Sequence, residues 1–228
     1  IADNEFLPVI LAAREDRMDG AATVSDIILA DGEGEGSIAD ITQRWAWTPP
    51  PRRRSVLTLL TSGTTGAPKG ARRPNRAPGQ EGLALFEQVP YGVGDLYYIA
   101  PPLFHAWGLS QITIALATAS TVILRRRFEP EEAVALLAER EIDVLAVVPL
   151  MLRRILRVVD EVDTEGPLVP RIVVSSGNVL SGDLSLEWMD RFGERLYNFY
   201  GSTETGIGTI ARPVDMRRAP GTVGRPPR

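Results

Sequence analysis

Between residues 120 and 201 the sequence alternates short β-branched runs with longer amphipathic stretches, and this alternation most constrains the fold. STVILRR (120–126), DVLAVVP (143–149), RIVVSSG (171–177) and RLYNFYG (195–201) read as strands. EPEEAVALLAEREI (129–142), PLMLRRILRVVDEV (149–162) and DLSLEWMDRFG (183–193) read as helices between them. Pro130 suits a first helical turn with acids close by, and Gly193 suits a helix stop. Upstream, DLYYIAPP (95–102) starts as a strand and breaks at two prolines, and LSQITIALATA (109–119) has helical apolar spacing. Strands joined through helices by short connections predict an α/β fold with a largely parallel sheet and helices on both faces. Ligands of such sheets sit beyond the carboxyl ends of the strands. The loops leaving SVLTLL (55–60), RIVVSSG and RLYNFYG are therefore the first places to look for a site.

The first 54 residues are less regular. EFLPVILAARE (5–15) suits a short helix and VSDIILAD (24–31) a strand. DGEGEGSIAD (31–40) is an acidic glycine-rich loop, and RWAWTPPPRRRS (44–55) is a proline-stiffened connector unfit for a central strand. Residues 1–54 are read as a lead-in and 55–228 as the core. The 228 residues are 44% hydrophobic, enough for a sizeable core. No cysteine is present and there is one histidine, which excludes disulfides, thiolate metal sites and a multi-histidine site. The net charge of −4 and the lack of aromatics among Arg52–Arg54, Arg72, Arg73, Arg76 and Arg125–Arg127 argue against nucleic acid as a partner. No apolar run reaches the roughly 20 residues of a membrane span, and no signal peptide leads the chain. A cytoplasmic protein is expected. Ile1 at the start and a Pro/Arg-rich end read as the ends of a piece of a larger protein.

TSGTTGAPKG (61–70) holds the only lysine among 25 basic residues. Six small residues, Thr61, Ser62, Gly63, Thr64, Thr65 and Gly66, follow an apolar run. The glycines allow sharp turns that converge N–H groups on an anion, and the hydroxyls add donors. Lys69 adds a compact cation suited to phosphate. The Walker loop differs, since its lysine precedes Ser or Thr whereas Lys69 follows Pro68 and precedes Gly70. In YNFYGSTETG (197–206), Tyr200 offers an aromatic face, Gly201 permits close backbone approach, Thr203 offers a donor, and Glu204 is an oxygen ligand suited to magnesium. The sole histidine, His105, lies in PPLFHAWGLS (101–110), where a packed core role is the commoner alternative.

These stretches resemble the adenylate-forming enzymes: acyl-CoA synthetases, adenylation domains of peptide synthetases and firefly luciferase. The glycine loop is similar to their phosphate-binding signature, and YGSTE matches their adenine and magnesium motif residue for residue. GTVGRPP (221–227) matches a motif that follows. IVVSSGNVLSGDL (172–184) is similar to the adenine and acyl stretch, but Asn178 and Val179 replace the usual Ala-Pro pair. The five stretches keep the family's order over about residues 55–228. The chain is most like the large N-terminal domain of an acyl-CoA synthetase.

The resemblance implies ATP-dependent activation of a carboxylic acid, most simply a fatty acid, to an acyl-adenylate, then thioester formation with coenzyme A. It implies ATP, Mg²⁺ and coenzyme A as ligands. Lys69, Thr203, Glu204 and His105 become candidate catalytic residues, with Glu204 the metal ligand. Thr61–Gly66, Lys69, Gly177, Asn178, Val179, Tyr200, Gly201, Ser202 and Thr203 become candidate nucleotide contacts. His105, Trp107, Gly108 and Ser176 become candidate acid contacts. The family's Tyr-x-Thr-Gly-Asp motif, hinge and C-terminal lid domain with its lysine do not occur in the chain, so weak or absent adenylation is expected of it alone. An amino-acid adenylation domain and a non-catalytic nucleotide-binding domain are the alternatives. The first is disfavoured by the lack of aspartate in 101–110 and 172–180, the second by retention of Lys69 and Glu204.

Overall fold

The computed structural model describes residues 84–163, 168, 170–203 and 205–227 in full, and the backbone of 58–61 and 69–72. The expected elements at 5–15, 24–31, 31–40 and 44–55 lie outside the described residues. The chain forms two units, Ile1–Ser55 and Val56–Arg228, and every described residue belongs to the second. No helix among the described residues is long and apolar enough to cross a membrane.

Strands β1 (Thr58–Thr61) and β2 (Lys69–Arg72) pair antiparallel, with Thr61 opposite Lys69. They form their own two-stranded sheet. The run SVLTLL therefore does not feed a strand of the parallel sheet. Seven residues connect β1 to β2, enough for a hairpin but too few for a crossover. Lys69 opens a strand, another departure from the Walker arrangement, in which a helix follows the loop.

The main sheet has six strands in the order β4–β3–β5–β6–β7–β8. These are β3 (Leu96–Ile99), β4 (Thr121–Leu124), β5 (Val144–Val147), β6 (Ile172–Ser175), β7 (Leu196–Ser202) and β8 (Gly206–Ala211). The first five in that order run parallel, and β8 runs antiparallel to β7. Helices α1 (Ala106–Ala117), α2 (Pro130–Glu139), α3 (Pro149–Val158) and α4 (Gly182–Phe192) make the crossovers, and α5 (Pro213–Arg218) follows β8. The predicted alternation is present. The β8 hairpin and α5 are additions that the sequence reading did not foresee. Helix α1 also starts at Ala106, three residues earlier than its apolar spacing suggested.

Side chains of period two divide the core into two layers. Tyr97, Ile99, Val144, Ala146, Ile172, Val174, Phe199 and Ile210 face α1 and the helical residues 84–88. Tyr98, Leu145, Val147, Val173 and Leu196 face α2, α3 and α4. Strands β5 and β6 are buried at every position, as expected of central strands covered on both faces. From β3 the chain crosses by α1 to β4 on one side, whereas β5, β6 and β7 succeed one another on the other side. Beyond the carboxyl ends of β3 and β5, α1 and α3 leave toward opposite faces. A crevice opens at such a switch point.

The opposite end of the sheet is closed by charge. Asp95, Asp143 and Arg171 each immediately precede a strand, β3, β5 and β6 respectively. Arg171 Nη2 meets Asp95 Oδ1 at 2.6 Å, its Nε lies 3.6 Å from Asp143 Oδ1, and its Nη1 donates to the Pro90 carbonyl at 2.5 Å. The Asp95 and Asp143 carboxylates also accept the N–H groups of Gly92 at 2.7 Å and Leu96 at 2.9 Å. Past α5, the segment 222–227 returns along β8. Ile210 and Arg225 exchange backbone hydrogen bonds, and Thr209 Oγ1 donates to the Val223 carbonyl. Gly224 there has φ +76°, and a Cβ on it would collide with the Ile210 carbonyl.

Arg171→Ala leaves the nearly buried Asp95 carboxylate without its cation and is expected to cost about 2 kcal/mol, read as a lower urea midpoint. Gly224→Ala is expected to cost about 1–3 kcal/mol for its left-handed backbone alone. Hydrogen exchange should then show faster exchange at Ile210 and Arg225 than in the unaltered chain.

Candidate active site at the carboxyl ends of the strands

After β3, Pro101 and Pro102 end the strand and turn the chain into α1. His105 is the N-cap residue, with φ −88° and ψ 145°, and its side chain makes no cap hydrogen bond. Its ring is exposed and packs on Phe104, with centroids 4.4 Å apart. The packed-core reading of this histidine is therefore overturned. Trp107, in the first turn, is buried. Its indole N–H donates to the Val147 carbonyl at 2.8 Å, and its ring lies 5.1 Å from that of Phe199. Gly108 is also buried, and a Cβ there would strike the Pro101 and Pro102 carbonyls. Glycine at 108 is what lets the proline turn fold back on the helix.

After β6, Ser176 N–H reaches the same Val147 carbonyl at 3.4 Å. Gly177 takes φ +85° and turns the chain away from the sheet. The Asn178 side-chain oxygen accepts the Val179 N–H at 2.7 Å, a local turn that leaves Val179 85% exposed before Leu180 re-enters the core.

The third wall is the β7–β8 hairpin. Tyr200 is 59% exposed although its neighbour Phe199 is buried. A register shift sits at Tyr200/Gly201, where Tyr200 pairs with Thr209 and Gly201 with Ile207. The extra residue is Gly208 on β8, a bulge of the kind that re-aims strand ends. A Cβ on Gly201 would collide with the Gly206 carbonyl. The close approach at Gly201 is thus made by the returning strand of its own hairpin.

These walls enclose a cavity of about 530 Å³. It brings together seven of the residues singled out in the sequence: Trp107, Ser176, Gly177, Tyr200, Gly201, Ser202 and Thr203. His105, Gly108, Asn178 and Val179 do not line it. Ser62–Gly66 and Glu204 lie outside the described residues, and Thr61 and Lys69 are described by backbone alone. Sequence reasoning missed Phe199, Thr205, Pro226 and Pro227, which also line the cavity. Phe199 was legible through strand alternation with Tyr197. The prolines reach the cavity only because 222–227 pairs with β8, which no local signal announces.

One side of the cavity is apolar and aromatic, from Trp107 and Phe199. The other is a hairpin rich in hydroxyls and backbone amides. Such a division suits a ligand with an apolar part and an anionic part. No charged residue lines the cavity among the described residues. Burial pushes the phenols of Tyr91, Tyr97 and Tyr197 above the ordinary tyrosine value, so the aromatic layer beside α1 stays neutral at physiological pH. Among the described residues no three metal-ligating side chains gather.

Comparison with known proteins gives this geometry its context. Indoleacetate–CoA ligase of Aromatoleum aromaticum is 28% identical over 172 residues, covering 75% of this chain and 33% of that protein. The fatty acid–[acyl-carrier-protein] ligase ScoC of Streptomyces coeruleorubidus is 33% identical over 165 residues, covering 69% of this chain and 31% of that protein. The chain thus spans about a third of the length of these curated relatives. The inhibitor-bound N-terminal domain of FACL13 from Mycobacterium tuberculosis superposes with a TM-score of 0.79 over 98% of this chain and 56% of that one. At 22% identity this is a likeness of fold. The model of the AMP-binding enzyme family matches residues 8–228, and the chain belongs to that family.

Proposed function

We propose that the protein activates a carboxylic acid with ATP to an acyl-adenylate and passes the acyl group to a thiol. The observation that carries this reading is the single cavity in which a hydroxyl-lined hairpin faces an aromatic wall. A nucleotide suits the hairpin side, with its base on the exposed face of Tyr200 and its phosphates toward Ser202 and Thr203. The apolar part of the acid suits the side of Trp107 and Phe199. A fatty acid is the expected substrate and coenzyme A the expected acceptor. The relatives named above act on indoleacetate and on a fatty acid, so the apolar body of the acid is the shared requirement.

In the first half-reaction the carboxylate attacks the α-phosphorus and pyrophosphate leaves. In the second the thiol attacks the acyl carbonyl and AMP leaves. Charge accumulates on phosphate oxygens, so fixed donors and cations are the main catalytic device. In this reading Lys69 and the amides and hydroxyls of Thr61–Gly66 compensate the phosphates, and Thr203 donates to the α-phosphate. Glu204 is the carboxylate that would hold magnesium, which supplies further positive charge when bound. His105, the N-cap of α1, lies outside the cavity lining, so its expected role in orienting the substrate carboxylate requires its exposed ring to turn toward the bound ligand. An amino-acid substrate is disfavoured, because its ammonium finds no carboxylate among the described lining residues.

Calorimetric titration with a non-hydrolysable acyl-adenylate analogue tests the reading, and micromolar binding is the expected result. Failure to bind while the chain remains folded would remove the proposed site. Lys69→Arg keeps the charge but replaces a compact ammonium with a planar fork, and should weaken ATP binding by about five- to tenfold. Unchanged affinity would deny Lys69 a contact with phosphate. Trp107→Ala should weaken analogues with an apolar acyl group much more than AMP itself, and equal losses would place the acid elsewhere.

A further inference from the structure

The tip of the β7–β8 hairpin is held by a reciprocal pair of hydroxyls. The Thr205 N–H donates to Ser202 Oγ at 3.2 Å, and the Ser202 N–H donates to Thr205 Oγ1 at 3.3 Å. The two hydroxyl oxygens are themselves 3.0 Å apart, so one donates to the other. Two hydroxyl protons are present and one is spent inside this clasp. The other remains a donor, and both residues line the cavity. The clasp bridges positions 202 and 205 around the two residues between them. Gly206, with φ +76°, completes the turn. Both side chains are exposed, so the bonds add little to global stability. Their effect falls on the shape of the tip.

We propose that Thr205, through its clasp with Ser202, is a positioning residue for the phosphate end of the bound nucleotide. The inference rests on the nucleotide reading of the cavity given above. Without the clasp, Ser202 and Thr205 are no longer held together, and ligand binding then bears the entropy of ordering them. The remaining hydroxyl proton also gives the tip a donor toward an oxyanion. The base end of the nucleotide, beside Tyr200, is not affected by the clasp.

The test uses Thr205→Val, which removes the hydroxyl and keeps the branched shape, and Thr205→Ser, which keeps the hydroxyl. Affinities for ATP in magnesium buffer and for adenosine are measured by calorimetry, with the thermal midpoint of each variant. Thr205→Val is expected to weaken ATP by about fivefold or more while adenosine affinity and the midpoint hold. Thr205→Ser is expected to stay within about twofold of the unaltered chain. Equal ATP affinity for Thr205→Val overturns the proposal, as does a Thr205→Ser variant as weak as Thr205→Val. A midpoint that falls together with both affinities assigns Thr205 a merely structural role and also overturns it. If the unaltered chain binds adenosine but not ATP, or neither, the nucleotide reading itself fails and the clasp proposal falls with it.

Discussion

The carbonyl of Val147 holds the site together. It is the last residue of the central strand β5, and it accepts two hydrogen bonds from outside its own strand. The Trp107 indole reaches it from α1 and the Ser176 amide from the loop after β6. Val147 is the last β5 residue of the β5–β6 ladder, opposite Ser175, and its carbonyl needs partners once buried. Here that need ties the loops of two neighbouring strands to one atom. The Trp107 ring is thereby placed against Phe199, and the aromatic wall follows from the same bond. The indole nitrogen is committed to the backbone, so Trp107 offers a ligand its apolar face rather than a donor.

Close backbone approach sets the remaining walls, and glycine is needed where it occurs. Gly108 admits the Pro101 and Pro102 carbonyls to α1, Gly201 admits the returning strand β8, and Gly224 admits the segment 222–227. Each removes a side chain at the point where two backbones meet. The cavity is framed by these contacts, while the charged cluster of Asp95, Asp143 and Arg171 fixes the starts of three strands at the far end of the sheet. One end of the sheet is thus secured by ion pairs, and the other is left to small and aromatic residues that can receive a ligand.

Much of this was legible in the sequence. The strand–helix alternation from Thr121 to Leu196 gives the parallel sheet, because helices of that length between short strands permit few other arrangements. Strand β8 was not legible: GIGTIA contains two glycines and reads as weak strand, and only pairing with β7 makes it one. The apolar run at Thr58–Thr61 was seen, but its pairing with β2 in a separate sheet was not. An apolar run specifies a strand, whereas its partner is fixed by the length of the following connection and by contacts distant in sequence.

At the cavity, the sequence by itself determined the residue chemistry: hydroxyls and glycines after β7 and an aromatic after the proline turn. Those types match what the proposed phosphate and apolar acid would require, and residue type is visible wherever it stands in the chain. Tertiary structure decided which of them share a cavity. It placed Trp107, Ser176 and Tyr200 on one wall system, left Val179 in solvent, gave Gly108 and Gly201 packing duties, and brought in Thr205, Pro226 and Pro227. The reason is that hydrogen bonds to Val147 and the bulge at Gly208 set side-chain direction, and direction depends on partners that local sequence does not contain.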